Sequence, residues 1–351
     1  MFRSGALLLG RAAESPITWN VGGRSAKYRR HPQSWRYPQS LAHKVKSNTN
    51  LPPQRILLGV SLILAAAFTI SVQDVVFKVF SSEMTLWQIF ALRGCLAVPV
   101  LFAIAMSRGV LRVATGKWLL LRSLFITSTF LAFYAAIPFL SLSTVGAANY
   151  IAPIFVTLLS AYVIKEPVRW LGWVGVLIGF AGVLVLLQPG TDAFSAWALL
   201  PVLGAAFYAL AHIITRAKCQ EVPLAAIALS QNVVMLLAGM LVSLVLIGVQ
   251  PQRALIDAHP YIFGAWSTVE AQDWLILAVL AGFSIGIAIL LAGAYQAAPP
   301  AVISTFEYSY LIFVAAWDVL FFGLTLSLAT VTGMIMIVAA GLLVLRSKSQ
   351  R

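Results

Sequence analysis

The chain has 351 residues, of which 60% are hydrophobic and only 10% are charged, and its mean hydropathy is +0.91. Soluble domains carry about 25% charged residues, so this composition argues against a water-soluble enzyme of this length. The two cysteines provide neither a disulfide framework nor a zinc motif. The net charge is +13, and the Lys and Arg residues lie mostly outside the apolar runs. This distribution favours membrane topology over nucleic-acid binding. We therefore expect a polytopic membrane protein whose partner is the lipid bilayer, with no nucleic acid.

Residues 1–54 differ in composition from the rest of the chain and predict a disordered, basic N-terminal tail. The segment 1–55 holds ten of the 24 Lys and Arg residues but a single acid, Glu14. An Arg-rich, acid-poor leader is also typical of an organelle transit peptide. The alternatives are a cytoplasmic tail and a start codon assigned too far upstream, so the mature protein either includes this segment or lacks it.

Ten apolar runs follow the tail, and each is close to the roughly 20 residues that a helix needs to cross a bilayer. They lack the alternation of barrel strands, so helices are predicted. We number them spans 1 to 10, and they cover residues 56–79, 85–106, 117–138, 144–164, 170–188, 195–215, 223–249, 273–295, 299–322 and 327–346.

The Lys and Arg residues between these runs predict the topology of the chain. With the N-terminus in the cytoplasm, 20 of the 24 fall on inside segments and one, Arg253, falls outside. This asymmetry is typical of membrane proteins whose basic loops stay on the cytoplasmic side. Both termini are therefore predicted to be cytoplasmic.

A weak internal repeat occurs at an offset of 158 residues. In this register Tyr150 corresponds to Tyr308, and Ile154–Val156 corresponds to Ile312–Val314. An odd number of spans in each copy forces the two copies into opposite orientations, an arrangement typical of transporters. The predicted organisation is a first repeat over 55–189, with spans 1 to 5, and a second over 190–351, with spans 6 to 10 and a short basic C-terminal tail.

The segment Phe133–Pro153 resembles the third and fourth helices of an EamA-type carrier of the drug/metabolite transporter superfamily. Lys165 and Glu166 continue the resemblance, and so does a glycine ladder in span 5 consisting of Gly172, Gly175, Gly179 and Gly182. Residues 306–341 resemble the C-terminal repeat of that family. One departure is that Leu324 stands where the second copy would match Glu166.

The resemblance implies an all-α integral membrane protein with ten transmembrane helices in two inverted five-helix repeats. It also implies a central cavity lined by spans 1–4 and 6–9. The implied activity is alternating access to a small metabolite of amino-acid-like, nucleotide-like or cofactor-like character. The glycine ladder predicts close helix packing, either within the bundle or between the protomers of a homodimer.

Ionisable side chains within spans are costly and each needs a reason. Glu307 lies near the midplane of span 9, where it could carry a coupling proton, bind a substrate amine, or serve as a structural acid. Arg93 in span 2 could hold a carboxylate or phosphate, pair with Glu307, or bind helix-end carbonyls. Tyr150 and Tyr308 either frame the cavity or anchor an interface. The predicted substrate-binding residues are Glu307, Tyr308, Arg93, Asn149, Tyr150 and Gln231.

Asp74 and Lys78 are spaced i, i+4 near the outer end of span 1. They are predicted to form a gate or coupling pair, with an interfacial salt bridge as the alternative. Asp318 is interpreted as facing outward. Arg122 and His212 lie near inner span ends and are predicted to face headgroups or the cytoplasm.

The sequence favours a secondary-active transporter of a small polar metabolite. We predict no catalytic residue, no metal and no cofactor, because the required motifs are missing from the sequence. The alternatives are an integral-membrane enzyme acting on lipid or acyl substrates and a channel. The family resemblance favours a bacterial inner membrane, while the basic leader leaves an organelle membrane open.

Overall fold

The computed structural model describes residues 53–80, 84–136, 139–140, 142–189, 196–322 and 327–349. Within these ranges the regular secondary structure is helical, with no strand. This confirms the all-α class. The N-terminal tail predicted over 1–54 lies almost wholly outside the described residues.

Nine stretches of the described chain are apolar and long enough to cross a membrane, and they correspond to spans 1–3 and 5–10. Eight of them are single helices, which cover Pro53–Phe80, Leu86–Ser107, Lys117–Ala136, Trp170–Leu187, Leu199–Lys218, Leu224–Val249, Ala271–Ala297 and Leu328–Ser349. The ninth, span 9, consists of two helices in direct succession. A predicted count of ten uninterrupted spans is therefore not confirmed.

Span 4 is broken in the middle. Its two helices are Leu142–Asn149 and Ala152–Tyr162, with Tyr150 and Ile151 between them. Pro153 has no backbone N–H, so it cannot donate to the carbonyl four residues earlier, that of Asn149. From the sequence, Pro153 predicts a lost backbone hydrogen bond and a kink in mid-span, and the structure shows a break between two helices at this point.

Span 9 is broken at Tyr308, between the helices Pro300–Glu307 and Ser309–Phe322. No proline lies at this point. Instead, the hydroxyl of Ser309 donates to the carbonyl of Phe306 at 2.6 Å. The N–H of Leu311 donates to the carbonyl of Tyr308 at 3.1 Å, which is the tighter pattern of a 3₁₀ turn. The two breaks thus fall at positions that correspond in the repeat register.

The bundle is assembled from a small set of helix pairs. Span 1 packs on span 8, span 2 on span 7, span 3 on span 6, span 4 on span 9 and span 5 on span 10. Spans 5 and 10 approach closely at Gly182 and Gly333, where a Cβ on Gly333 would lie 2.6 Å from the carbonyl oxygen of Gly182. The glycine ladder of span 5 therefore packs against other helices of the same chain.

The loop between spans 7 and 8 folds against the end of span 2. It contains the short helices Arg253–Ala258 and Pro260–Phe263. The indole of Trp87 donates to the carbonyl of Ile262 at 2.8 Å. The side-chain amide of Gln88 exchanges hydrogen bonds with the backbone of Ser267 at 2.8 and 3.0 Å. The loop thus covers one end of the bundle, on the predicted outer side.

Candidate functional site

Glu307 ends the first helix of span 9, at the break. Its Oε1 atom accepts two hydrogen bonds, each 2.7 Å long, from the hydroxyls of Tyr208 in span 6 and Tyr295 in span 8. No hydrogen bond to its Oε2 atom comes from the described residues. A single carboxylate therefore joins three spans through one oxygen and leaves the other for a further partner.

His212 lies between the two tyrosines that bind Glu307. Its ring stacks on Tyr295 with centroids 4.0 Å apart and contacts the ring of Tyr208 at 4.2 Å. The residue is fully buried, and neither ring nitrogen has a hydrogen-bond partner in the described part of the chain. The prediction that His212 faces headgroups or the cytoplasm is wrong, because neighbouring helices enclose it.

Arg122 is also fully buried, so the prediction that it faces headgroups or the cytoplasm is wrong as well. Its Nε atom donates to the hydroxyl of Thr215 at 3.2 Å, and its Nη1 atom donates to the side-chain carbonyl of Gln231. Its Nη2 atom has no partner among the described residues. The guanidinium is therefore held by neutral groups from spans 6 and 7.

Tyr308 and Tyr150 meet where the two broken spans approach each other, with ring centroids 6.1 Å apart. The ring of Tyr308 lies so close to span 5 that a Cβ on Gly179 would be 2.6 Å from it. The hydroxyl of Tyr308 and the Oδ1 atom of Asn149 are both buried without a partner within the described ranges. The breaks therefore leave two polar atoms available in the interior.

Asp74 in span 1 forms a hydrogen bond with span 9. Its carboxylate accepts a hydrogen bond from the hydroxyl of Tyr310. A turn away, the indole of Trp317 donates to the hydroxyl of Ser71 at 2.9 Å. The side chains of Lys78 and Asp318 lie outside the described residues.

No ion pair joins Arg93 to Glu307 in the described part of the molecule. Its guanidinium lies 4.4 Å from the ring centroid of Phe90 and is 6% exposed. Burial raises the pKa of Tyr261, in the loop between spans 7 and 8, to about 12, while the charge of Arg93 opposes that rise. Arg93 is therefore close to this loop, at the end of the bundle that the loop covers.

A second polar network joins spans 4, 6 and 8 at their predicted inner ends. Arg216 pairs with Glu166 at 2.8 Å and donates to the carbonyl of Gln296 at 2.9 Å. The amide of Gln296 donates in turn to the carbonyl of Cys219 at 2.6 Å. We call Glu166, Arg216 and Gln296 the inner latch. From the sequence, Arg216 was counted among the inside basic residues, but no ion pair was predicted for it.

Sequence reasoning missed Tyr208, Tyr295 and the interior roles of Arg122 and His212. One signal for them was present, since Tyr208, His212 and Thr215 are spaced four and three residues apart and lie on one face of span 6. A polar stripe of this kind on an apolar helix predicts an interior surface. Depth judged from the distance to a span end does not reveal which face a residue occupies.

A cleft of about 260 Å³ opens on the outside of the bundle between spans 1, 9 and 10. Its lining is mainly apolar and includes Leu64, Phe306 and Phe313, with the hydroxyls of Thr305 and Ser309 as polar exceptions. Its position beside exposed apolar side chains is typical of a surface that faces lipid.

A model of the EamA-like transporter family matches residues 57–188. The chain is 24% identical to an S-adenosylmethionine uptake transporter of Rickettsia prowazekii, over 46% of this chain and 55% of that protein. It is 23% identical to the pseudopaline exporter CntI of Pseudomonas aeruginosa, over 83% of this chain and 96% of that protein. Residues 57–188 are therefore similar to the EamA-like transporter family, and both relatives are named as transporters of small molecules.

These similarities confirm the resemblance seen in the sequence and support a multi-pass membrane transporter of small molecules. The match to the Rickettsia protein spans only about half of that protein's length. A crystal structure of a protein that is 18% identical superposes on this chain with a TM-score of 0.65, over 83% of this chain and 97% of that one. That likeness concerns the fold alone.

Proposed function

We propose that this protein is a secondary-active transporter that moves a small polar metabolite by alternating access. The helix pairs support two inverted five-helix repeats. Such an inversion exchanges span 1 with span 6 and span 3 with span 8. It therefore carries the contact between spans 1 and 8 onto the contact between spans 6 and 3, and both contacts are present. The pairings 2–7, 4–9 and 5–10 map onto themselves, as a pseudo-two-fold axis requires.

The observation that carries the proposal is that both repeats are interrupted at corresponding positions, Tyr150 and Tyr308. Discontinuous spans in equivalent places of two inverted halves are the usual framework of a midplane binding site, because they expose backbone and side-chain polar groups inside the bilayer. The buried, unpartnered atoms of Asn149 and Tyr308 accord with such a site.

Glu307 is the proposed substrate or proton ligand. Tyr208 and Tyr295 orient the carboxylate through Oε1, so Oε2 is the atom that would bind a substrate amine or a coupling proton. Tyr308, Tyr150 and Asn149 would contact the metabolite from the two breaks, and Gln231 would act by holding Arg122. Arg93 would act at the outer entrance rather than beside Glu307.

Alternating access requires that contacts at the two ends open in turn. The inner latch closes the cytoplasmic end of spans 4, 6 and 8. On the other side, the loop bound to Trp87 and Gln88 and the hydrogen bond of Tyr310 to Asp74 close the outer end. We propose that Asp74, and Lys78 with it, belongs to the outer gate.

The relatives guide the choice of first substrates. One is named for uptake of S-adenosylmethionine and another for export of pseudopaline, so they differ in both cargo and direction. S-adenosylmethionine is the first metabolite to test. The proposed location is a bacterial inner membrane with both termini cytoplasmic, and a homodimer is an arrangement to be tested.

Uptake and efflux in vesicles containing the full chain test this function. The panel comprises amino acids, nucleosides, S-adenosylmethionine and flavins, and empty vesicles serve as the baseline. We expect at least one compound to move in wild-type vesicles, and Glu307→Gln to lose that flux. Glu221→Gln changes an exposed acid outside the site and should transport normally. Full flux through Glu307→Gln would remove Glu307 from the mechanism.

A further inference from the structure

A buried arginine without an acidic partner lies near the proposed substrate site. We propose that Arg122 and His212 bind the carboxylate of the transported metabolite, which would make the substrate an extended zwitterion. This inference rests on the proposed function, since it names the substrate class for the same central site. It was not predicted from the sequence, which placed both residues toward the headgroups or the cytoplasm.

The described residues do not balance the positive charge of Arg122. Taking a guanidinium out of water costs several kcal/mol unless a counter-charge and good hydrogen bonds offset it. The described contacts of Arg122 are the hydroxyl of Thr215 and the amide of Gln231, both neutral. No carboxylate lies within 4 Å of it in the described ranges. A substrate anion would supply the missing charge.

Three buried nitrogen atoms of Arg122 and His212 have no hydrogen-bond partner among the described residues. The Nη2 atom of Arg122 and both ring nitrogens of His212 are buried and unbonded within the described part of the chain. Buried polar groups are nearly always hydrogen-bonded, and an exception calls for a specific explanation such as a missing ligand. Thr215 follows His212 by three residues on span 6, so the guanidinium of Arg122, which comes from span 3, binds span 6 within one turn of His212.

The position of Arg122 relative to Glu307 also fits an extended substrate. Tyr208 donates to Glu307, whereas Thr215 accepts from Arg122, and the two residues are seven positions apart on one face of span 6. Seven residues correspond to a rise of about 10 Å along a helix. A metabolite with a carboxylate at one end and a cationic group at the other could therefore contact Arg122 and Glu307 together.

Two matched pairs of compounds test the site on purified full-length protein, with ligand-induced thermal stabilisation as the readout. The first pair is S-adenosylmethionine and decarboxylated S-adenosylmethionine. The second is 6-aminohexanoate and 6-aminohexanamide, which differ only in the charge of one end. We expect the acid of at least one pair to bind roughly 10- to 100-fold more tightly than its partner, as befits hydrogen bonds to charged groups.

Arg122→Gln should abolish this preference, so that both members of a pair bind equally. Arg112→Gln changes an exposed arginine of the short helix Leu111–Ala114 and should keep the wild-type ratio. If Arg122→Gln does not fold, Arg122→Lys and His212→Phe provide the test. Both retain packing, and both should reduce the preference without abolishing it.

Several outcomes would overturn the inference. These are an unchanged preference in Arg122→Gln, an unchanged preference in both Arg122→Lys and His212→Phe, and a wild-type protein that does not favour the acid in either pair. If vesicles still transport a panel compound, such a result removes the anion site and leaves the proposed function standing. Wild-type vesicles that move no compound at all contradict the proposed function and this inference together.

Discussion

The two broken spans share a geometry but differ in their chemistry. In span 4 the break follows Asn149, a neutral amide whose Oδ1 atom is buried without a partner in the described structure. In span 9 the corresponding residue is Glu307, and its carboxylate receives two tyrosine hydroxyls. The backbone interruption is thus common to both copies, whereas the charge and its hydrogen bonds belong to the second copy alone. A repeated framework can therefore hold a one-sided site.

The largest effect should come from moving the charge between the two breaks. We expect Glu307→Asn to lower flux by about 100-fold, because truncating one member of a buried, charged hydrogen-bond network costs several kcal/mol. Adding Asn149→Glu should not restore transport, since Tyr208 and Tyr295 bind position 307. Vesicle uptake measures both variants, and recovery of flux in the double variant would show that the two breaks are interchangeable.

A smaller effect is expected when the carboxylate remains and one of its donors is lost. Tyr208→Phe and Tyr295→Phe each remove one hydrogen bond to Oε1, and each should lower flux about tenfold. Tyr162→Phe serves as the control, because Tyr162 is 73% exposed at the end of span 4. Initial uptake rates decide the matter. Wild-type rates in both variants would mean that the tyrosines do not orient the acid.

The smallest effect concerns the inner latch, whose acid is partly exposed. Glu166→Gln removes the ion pair with Arg216, and a pair of this exposure is worth about 1 kcal/mol or less. Cys219 lies beside the latch and is 1% exposed, so its alkylation reports opening. In a Cys95→Ala background we expect alkylation to accelerate about threefold. No acceleration relative to Glu221→Gln would indicate that the pair does not close this end.

Hydropathy located the apolar spans well, because the thickness of the bilayer fixes the length of an apolar run whatever its neighbours. The family resemblance was likewise confirmed. Pro153 predicted a kink in span 4, and the structure shows a break between two helices there. The corresponding break in span 9 has no proline. There the hydroxyl of Ser309 binds a backbone carbonyl, and hydropathy does not reveal such a hydrogen bond.

The interior partners could not be predicted in the same way. Whether Arg122 reaches water or Gln231 depends on how span 3 is rotated against spans 6 and 7, and a single helix does not encode that rotation. The same applies to His212, which lies between two tyrosines from different spans. Glu307 was singled out by its depth in span 9, and Tyr308 by its place beside Glu307 and its match to Tyr150 in the repeat register.

The most direct test of the account asks whether the breaks enclose a site that substrate occupies and both sides reach. A cysteine at position 149, in a background with Cys95 and Cys219 replaced by Ala, is labelled with a small polar thiol reagent in vesicles of both orientations. The account predicts labelling from either side, slowed by the compound that the vesicles transport and unaffected by compounds that they do not. Labelling from neither side, or at a rate that the transported compound does not change, would contradict it.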